Sequence, residues 1–473
     1  MMTVRRAQRG GRPVARGRPT PGTPKILPSL AILALLAVPA GAFAQAPASS
    51  GPMVIVEPPR PPEPPLPPGA RRPKPDNFRP RARQLLYVTV PGSIEQPGWH
   101  NGVGIIVLDV ARNWAFVKRI PTWDYAGSMS PEQVSGVAAS PVTNMIYLAA
   151  RGRIGAFDLA TDKMVWTSRM DGECCERPQV TPDGRFIIVG SDLLDYWYKL
   201  DAKTGKLLAK IAAPRSRNAH NLNLSADGKL AFMSPNGKVL SIGDIDSAKT
   251  IKTIEFPDNV RVFVLNKDST RIYANNNNFM GYMVADVATG KIIQTVEVTS
   301  VDWRSKWNAE VSRKTPHNCP SHGVAITPDG KEIWVDDGLF NKIHIFSNTD
   351  NPKEIDTIDS VAGRGPFWLT FGLDEKYAYA SSGDIIDIKT HKIVGTMKDE
   401  YGRPIYSEKL LDVQFDNGHA QRVSNQFANQ FGDYLTAEQR GVGPHVTPLP
   451  GSAPPIAAGT GPDPNPGLAP AEE

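Results

Sequence analysis

The stretch ERPQVTPDGRFIIVGSDLLDYWYKLDAKTGKLLAKIA, residues 176–212, holds both halves of a unit that recurs along the chain. Two turns organise it. In Thr181-Pro182-Asp183-Gly184 the proline presets φ, the aspartate caps the turn locally and the glycine takes a positive φ. In the second, an apolar strand ends at Asp201, a short turn ending in Gly205 follows, and Lys206 opens the next strand. The runs between turns are β-branched and short, as in Ile187-Ile188-Val189.

The Asp-ended unit appears at Asp109, Asp158, Asp201, Asp244, Asp286, Ser347 (with Ser in place of Asp) and Asp387, in steps of 49, 43, 43, 42, 61 and 40 residues. The other turn recurs at Ser140, Thr181, Ser225, Asn266, Thr327 and Gly372. Each copy therefore holds four short strands. A four-stranded sheet cannot bury both faces alone, so its neighbours must stack on it. Four strands in a period of roughly 40–45 residues are the pattern of a propeller blade. Seven copies predict an all-β, seven-bladed β-propeller. A β-sandwich is the alternative, and the sevenfold turn pattern speaks against it. The first copy opens directly on Leu85–Val90 and lacks a strand equivalent to Gly136–Ser140, while the last copy runs on through residues 409–415. The C-terminal strand is expected to complete the first blade, closing the ring and hiding a sheet edge.

The flanks differ in kind. Residues 1–25 carry seven bases and no acid, and an apolar run from Ile26 to Phe43 ends in Ala42-Phe43-Ala44. A basic start, a short apolar core and a small-x-small end predict a secretory signal peptide over residues 1–44. Pro28, Pro39 and Gly41 interrupt the run and disfavour a retained membrane helix. The expected location is therefore periplasmic or secreted, with no stable transmembrane segment after processing. Removing the seven bases takes the formal charge from +5 to −2, so no basic surface argues for nucleic acid. Residues 45–82 are proline-dense and read as a disordered, extended linker. Residues 433–473, rich in Pro, Gly and Ala, read as a disordered tail. The propeller is expected over 83–432.

The units VADVATGK (284–291), ITPDGKEIWV (326–335) and QVTPDG (179–184) resemble the YVTN-type repeats of bacterial exported propellers, in the quinoprotein amine dehydrogenase β-chain-like superfamily. Residues 317–335 and 407–418 are similar to one bacterial branch of that group. The resemblance spans roughly 83–432 and implies the fold. The group includes enzymes, electron-transfer subunits and binding proteins, so it does not imply one activity.

In a propeller, the segments entering the innermost strand of each blade line one mouth of the central channel. The residue five before each Pro-Asp-Gly-type turn is then Ser135, Glu176, His220, Arg261, His322 and Phe367. Four of the six are ionisable, where strand starts facing a dry core would be apolar. Alone, His220 or Arg261 reads as a satisfied strand-start residue. Together, Glu176, His220, Arg261 and His322, with Asn276 and Trp368, form a candidate ligand site in which Arg261 would hold an anion bidentately. All three cysteines fall at the same level. Cys174 and Cys175 are expected to pair as a vicinal disulfide in an oxidising compartment, leaving Cys319 free; a bridge from one of them to Cys319 across the 299–320 insertion is the alternative. His317, Cys319 and His322 are ligand types suited to Cu or Zn, with Pro320 bending the segment, against the reading of a polar channel rim.

Three functions fit. The first is a non-enzymatic propeller binding a small anionic ligand or a protein partner at one channel mouth. The second is a channel-mouth enzyme of lactonase or cycloisomerase type using His, Arg and Glu. The third is a metal-dependent or quinoprotein-like oxidoreductase subunit using His and Cys ligands. Binding ranks first.

Overall fold

The computed structural model describes residues 82–426, except 92–102, 124–133, 151, 171–174, 192–193, 214–218, 236, 316–318 and 363–364. The expected signal peptide, the linker up to residue 81 and the tail lie outside the described residues, as do Cys174 and His317. Among the described residues no helix is long and apolar enough to cross a membrane.

Seven sheets form the seven blades of a β-propeller. Six are four-stranded meanders, each opening with a strand that faces the channel. These inner strands are Val134–Ser140, Glu176–Val180, Ala219–Leu224, Val260–Leu265, Val324–Ile326 and Leu369–Phe371. The outermost strands alternate exposed and half-buried residues, as Lys249–Glu255 does, because they have no further neighbour. The apolar cores lie between blades. Trp334, Ile343 and Ile345 of the sixth blade pack against Leu369, Phe371 and Ile386 of the seventh. Truncating a fully buried Trp such as Trp334 in such a layer costs about 3–5 kcal/mol.

The ring closes as the sequence predicts. Strand Leu410–Asp416 pairs antiparallel with the first strand of the chain, in a register that sets Leu85 opposite Val413 and Val88 opposite Leu410. The first blade thus combines the chain's beginning and end. It differs from the expected four strands in holding a fifth. After the Asp416–Gly418 turn the chain reverses into His419–Val423, which pairs with Leu410–Asp416 on its channel side. Residues beyond it enter the channel itself. The Val137 N–H donates to Gln426 Oε1 at 2.9 Å, Asn425 Nδ2 donates to Gln179 Oε1 at 2.7 Å, and the Trp368 indole N–H donates to the Gln426 carbonyl. The C-terminal hairpin therefore closes the ring and fills part of its bore. The turn composition of 416–418 signals a hairpin, but a repeat count cannot reveal a strand that belongs to no repeat.

The 299–320 insertion folds as two short helices, Trp303–Lys306 and Ala309–Lys314, capped by Asp302 and Asn308 side chains. Trp303 packs into the core between the fifth and sixth blades.

Candidate functional site at the channel mouth

The inner strands all enter the ring from the same mouth, and four of them begin with a break in register. Breaks fall between Val134 and Gly136, Glu176 and Gln179, Ala219 and Asn221, and Val260 and Phe263. At such bulges extra residues lie outside the ladder and their side chains are re-aimed. Ser135, Arg177, His220 and Arg261 all sit in these breaks. Arg177 takes a left-handed backbone, φ 48°, a conformation that costs of order 1–3 kcal/mol in a non-glycine residue. Gly136 accommodates it, since a Cβ there would lie 2.3 Å from the Arg177 nitrogen.

Arg177 is the centre of the site, and sequence indexing missed it because only one residue per strand was taken. Its side chain is buried, with 1% exposure. Its Nη1 donates to His220 Nε2 at 2.8 Å and to Asn221 Oδ1. Its Nη2 lies 3.7 Å from Glu176 and 3.6 Å from Glu408. The guanidinium stands 4.5 Å from the centre of the Trp368 ring, a cation–π contact. His220 Nδ1 bonds to Glu176 Oε2. Lys409 Nζ pairs with Glu408 at 2.6 Å and faces the other side of the same site, 5.6 Å from Trp368. Glu408 and Lys409 precede the closing strand, so the seventh blade position contributes to the mouth as the other six do.

The hydrogen bonds fix the protonation state of His220. Arginine has no acceptor, so Nε2 must accept from Arg177. Burial disfavours the Glu176 anion, but its interaction with His220, Arg177 and Lys409 outweighs that and takes its carboxyl down to about 2. An ionised carboxylate only accepts, so His220 Nδ1 carries the proton. Burial, reinforced by Arg177 and Arg261, takes the His220 pKa down to about 4, against the pull of Glu176. His220 is therefore neutral at pH 7, and both ring nitrogens are engaged.

Arg261 donates from Nε to Asn277 Oδ1, and its backbone carbonyl accepts from Asn221 Nδ2 at 2.8 Å. Asn221 thus joins Arg177 to the next blade. Burial and the nearby Arg177 lower the Arg261 pKa. Lys409 is lowered for the same two reasons, with Glu408 opposing. His322 is fully buried, its Nδ1 3.3 Å from the Phe367 carbonyl and its ring 6.0 Å from that of Trp368. Asn276 is also buried, but its Nδ2 holds the Asp258 carbonyl at 3.0 Å, bracing the segment before Val260. The structure therefore links Glu176, His220, Arg261, His322 and Trp368 in one network and leaves Asn276 beside it.

Cys175 is disulfide-bonded and Cys319 is a free, buried thiol whose pKa burial pushes up to about 12. A bridge from Cys175 to Cys319 is thereby ruled out. Among the described residues no three His, Cys, Asp or Glu side chains are grouped to hold a metal. Asp336 lies fully buried under the His322-Gly323 segment, where a Gly323 Cβ would meet its Oδ2 at 1.9 Å. Burial, with the nearby Glu408 and Asp337, raises its pKa well above the ordinary carboxylate value.

No family model matches the chain, and no curated protein matches it. Among solved structures, it is similar to a chain in the crystal structure of a mitotic checkpoint complex, with a TM-score of 0.49 and 13% identity over 69% of this chain and 94% of that one. It is also similar to the hydrazine synthase of Kuenenia stuttgartiensis, with a TM-score of 0.47 and 14% identity over 61% of this chain and 88% of that one. At these values neither likeness carries an activity or a partner to this chain.

Proposed function

We propose that this chain is an exported, non-enzymatic propeller of the YVTN-repeat kind that binds a small anionic ligand at the mouth where its inner strands begin. The composition of residues 1–44 supports export. One observation carries the binding reading: the charge balance of a largely desolvated site. Among the described residues, the three cations Arg177, Arg261 and Lys409 gather at this mouth with the carboxylates of Glu176 and Glu408, Asp258 acts on Arg261 from beside it, and His220 adds no charge at pH 7. Two of the cations have their pKa lowered by burial and by Arg177. A bound anion would reverse that repulsion, and buried charge–charge contacts are screened little by salt.

The arrangement favours binding over acid–base catalysis at His220. A general base needs a free lone pair within reach of the substrate proton. The only lone pair of neutral His220 is directed at Arg177.

Titration calorimetry with citrate and with inorganic phosphate at pH 7 and low salt tests the proposal. Saturable binding of either anion, weakened at least about tenfold in Lys409→Met and in Arg261→Gln, is expected for loss of one buried charged contact. No saturable heat with either anion, or affinity unchanged in both variants, overturns it.

A further inference from the structure

The inner strands carry the charged mouth at their beginnings and a different feature at their ends. Ser140, Thr181 and Leu224 lie about five residues along from Ser135, Glu176 and His220. At ~3.3 Å per residue, the two levels are separated by about 15 Å. At the far level lies a cavity of ≈ 50 Å³. Ala138, Ala139, Pro182 and Leu224 supply apolar walls from three blades, Ser140, Gln179 and Thr181 add polar groups, and the C-terminal segment Val423–Gln426 also lines it. None of its lining residues is charged.

One polar group in this lining lacks a partner. The Gln426 side chain is buried, with 1% exposure, and its Nε2 makes no hydrogen bond among the described residues. Its orientation is fixed. The Val137 N–H needs an oxygen acceptor and takes Oε1 at 2.9 Å, so the amide nitrogen must point the other way. Its backbone is held as well, because the main-chain carbonyl accepts from the Trp368 indole N–H and, at 3.3 Å, from the Thr370 hydroxyl. A fixed, buried amide donor without an acceptor is a costly arrangement that an incoming acceptor relieves.

We propose that this cavity is a second binding site, which takes the carbonyl end of a small neutral molecule, an amide or a ketone, on the Gln426 Nε2 donor. An anion does not fit, because the lining offers no cation and a carboxylate desolvated there would be uncompensated. Size sets the scale. The cavity exceeds the roughly 10–15 Å³ needed for one water, and is about a third of the ~150 Å³ that holds benzene. It therefore takes about two to four heavy atoms, with apolar carbon against Ala138, Ala139 and Leu224. The site differs from the charged mouth in chemistry and position, although Trp368, which stacks against Arg177, donates to the Gln426 carbonyl.

Acetamide is the probe. Methyl-labelled full-length protein is titrated with acetamide and, in parallel, with acetate, following the Ala138, Ala139 and Leu224 methyl signals. Saturable shifts of these methyls with acetamide, in the roughly millimolar range that four heavy atoms allow, are expected, with none from acetate. Gln426→Leu should weaken acetamide at least about tenfold. Leu224→Phe, which fills the cavity from a position outside the C-terminal segment, should abolish binding while the other methyl signals stay in place. Absence of saturable shifts, equal response to acetate, or unchanged binding in Leu224→Phe would overturn the proposal and leave the cavity a solvent pocket.

Discussion

The two faces of this propeller are built from the same strands by opposite rules. On the face of the turns the chemistry repeats from blade to blade. Asp158, Asp201, Asp244, Asp286 and Asp387 each accept the backbone N–H three residues on, at 2.7 or 2.8 Å. Thr181, Ser225 and Thr327 each donate to the Asp two residues later and accept from the N–H five residues later. At the mouth no one side chain recurs from blade to blade. Ser, Glu, His, Arg, His and Phe succeed one another around the ring, and four of the entering strands are bulged. A repeated side chain does the same local work in every blade. Side chains that differ at equivalent places can work only together, which is the mark of a site.

The sharpest way to break this contrast is to remove the residue at the centre of the mouth. Arg177→Met keeps the stem and deletes the charge. Glu408 and Glu176 lose a buried cation, His220 Nε2 and Asn221 lose a donor, and Trp368 loses its cation–π partner. Removing one partner from a buried ion pair costs about 3–5 kcal/mol, more than any single turn residue should, even with Lys409 still paired to Glu408. Urea denaturation would measure it, and a loss under 1 kcal/mol would show that the network holds without its hub.

That Arg177 escaped the sequence reading while the fold did not has a physical cause. Turn chemistry is local, so Pro-Asp-Gly and Thr-Gly-Lys announce themselves within six residues and their spacing yields the blade count. The site is assembled across blades, by side chains 44 and 231 positions apart in the case of Arg177 with Asn221 and Glu408. Indexing by position found Glu176, His220, Arg261 and His322, because register places them at one level. It missed Arg177 because a bulge puts two neighbours at the mouth, and it missed Glu408 and Lys409 because the closing strand was counted for the ring and not for the rim. The fifth strand and the Gln426 strap were invisible for a related reason: the strand pairs with the closing strand and belongs to no repeat, the strap bonds to Val137 and Trp368 of other blades, and no periodicity encodes either.

A smaller effect comes from protonation. His220 titrates at about 4 in the fold, below the ordinary imidazole value of 6.5, chiefly through burial. Between those limits the unfolded chain binds the proton and the folded one does not, so stability falls as pH falls from 6.5 to 4. The corresponding change is about 3 kcal/mol. In His220→Gln this component should vanish, so the variant's stability should decline less steeply than the parent's over that window. Parallel pH profiles of the two proteins would mean that His220 is not held neutral by its surroundings. Glu176, held down near 2, adds its own loss only at lower pH.

The smallest effects belong to the turn face, and there the informative quantity is their sum. Asp201 accepts from Lys203 N, Thr204 N and the Thr204 hydroxyl, all within one exposed turn. Asp201→Ala should cost about 1 kcal/mol, and so should Asp286→Ala two blades away. With no partner in common, the two losses should add to within about 0.5 kcal/mol in the double variant. The mouth should behave otherwise. Once Arg177 is gone, His220 Nε2 has no donor left to lose, so combining Arg177→Met with His220→Gln should cost less than the sum of the single changes. Double-mutant cycles on both faces put the contrast on one scale. Coupling near zero among the turns and above about 1 kcal/mol at the mouth is what repetition on one face and assembly on the other require. Equal coupling on both would mean that the mouth, too, is a set of independent strand ends.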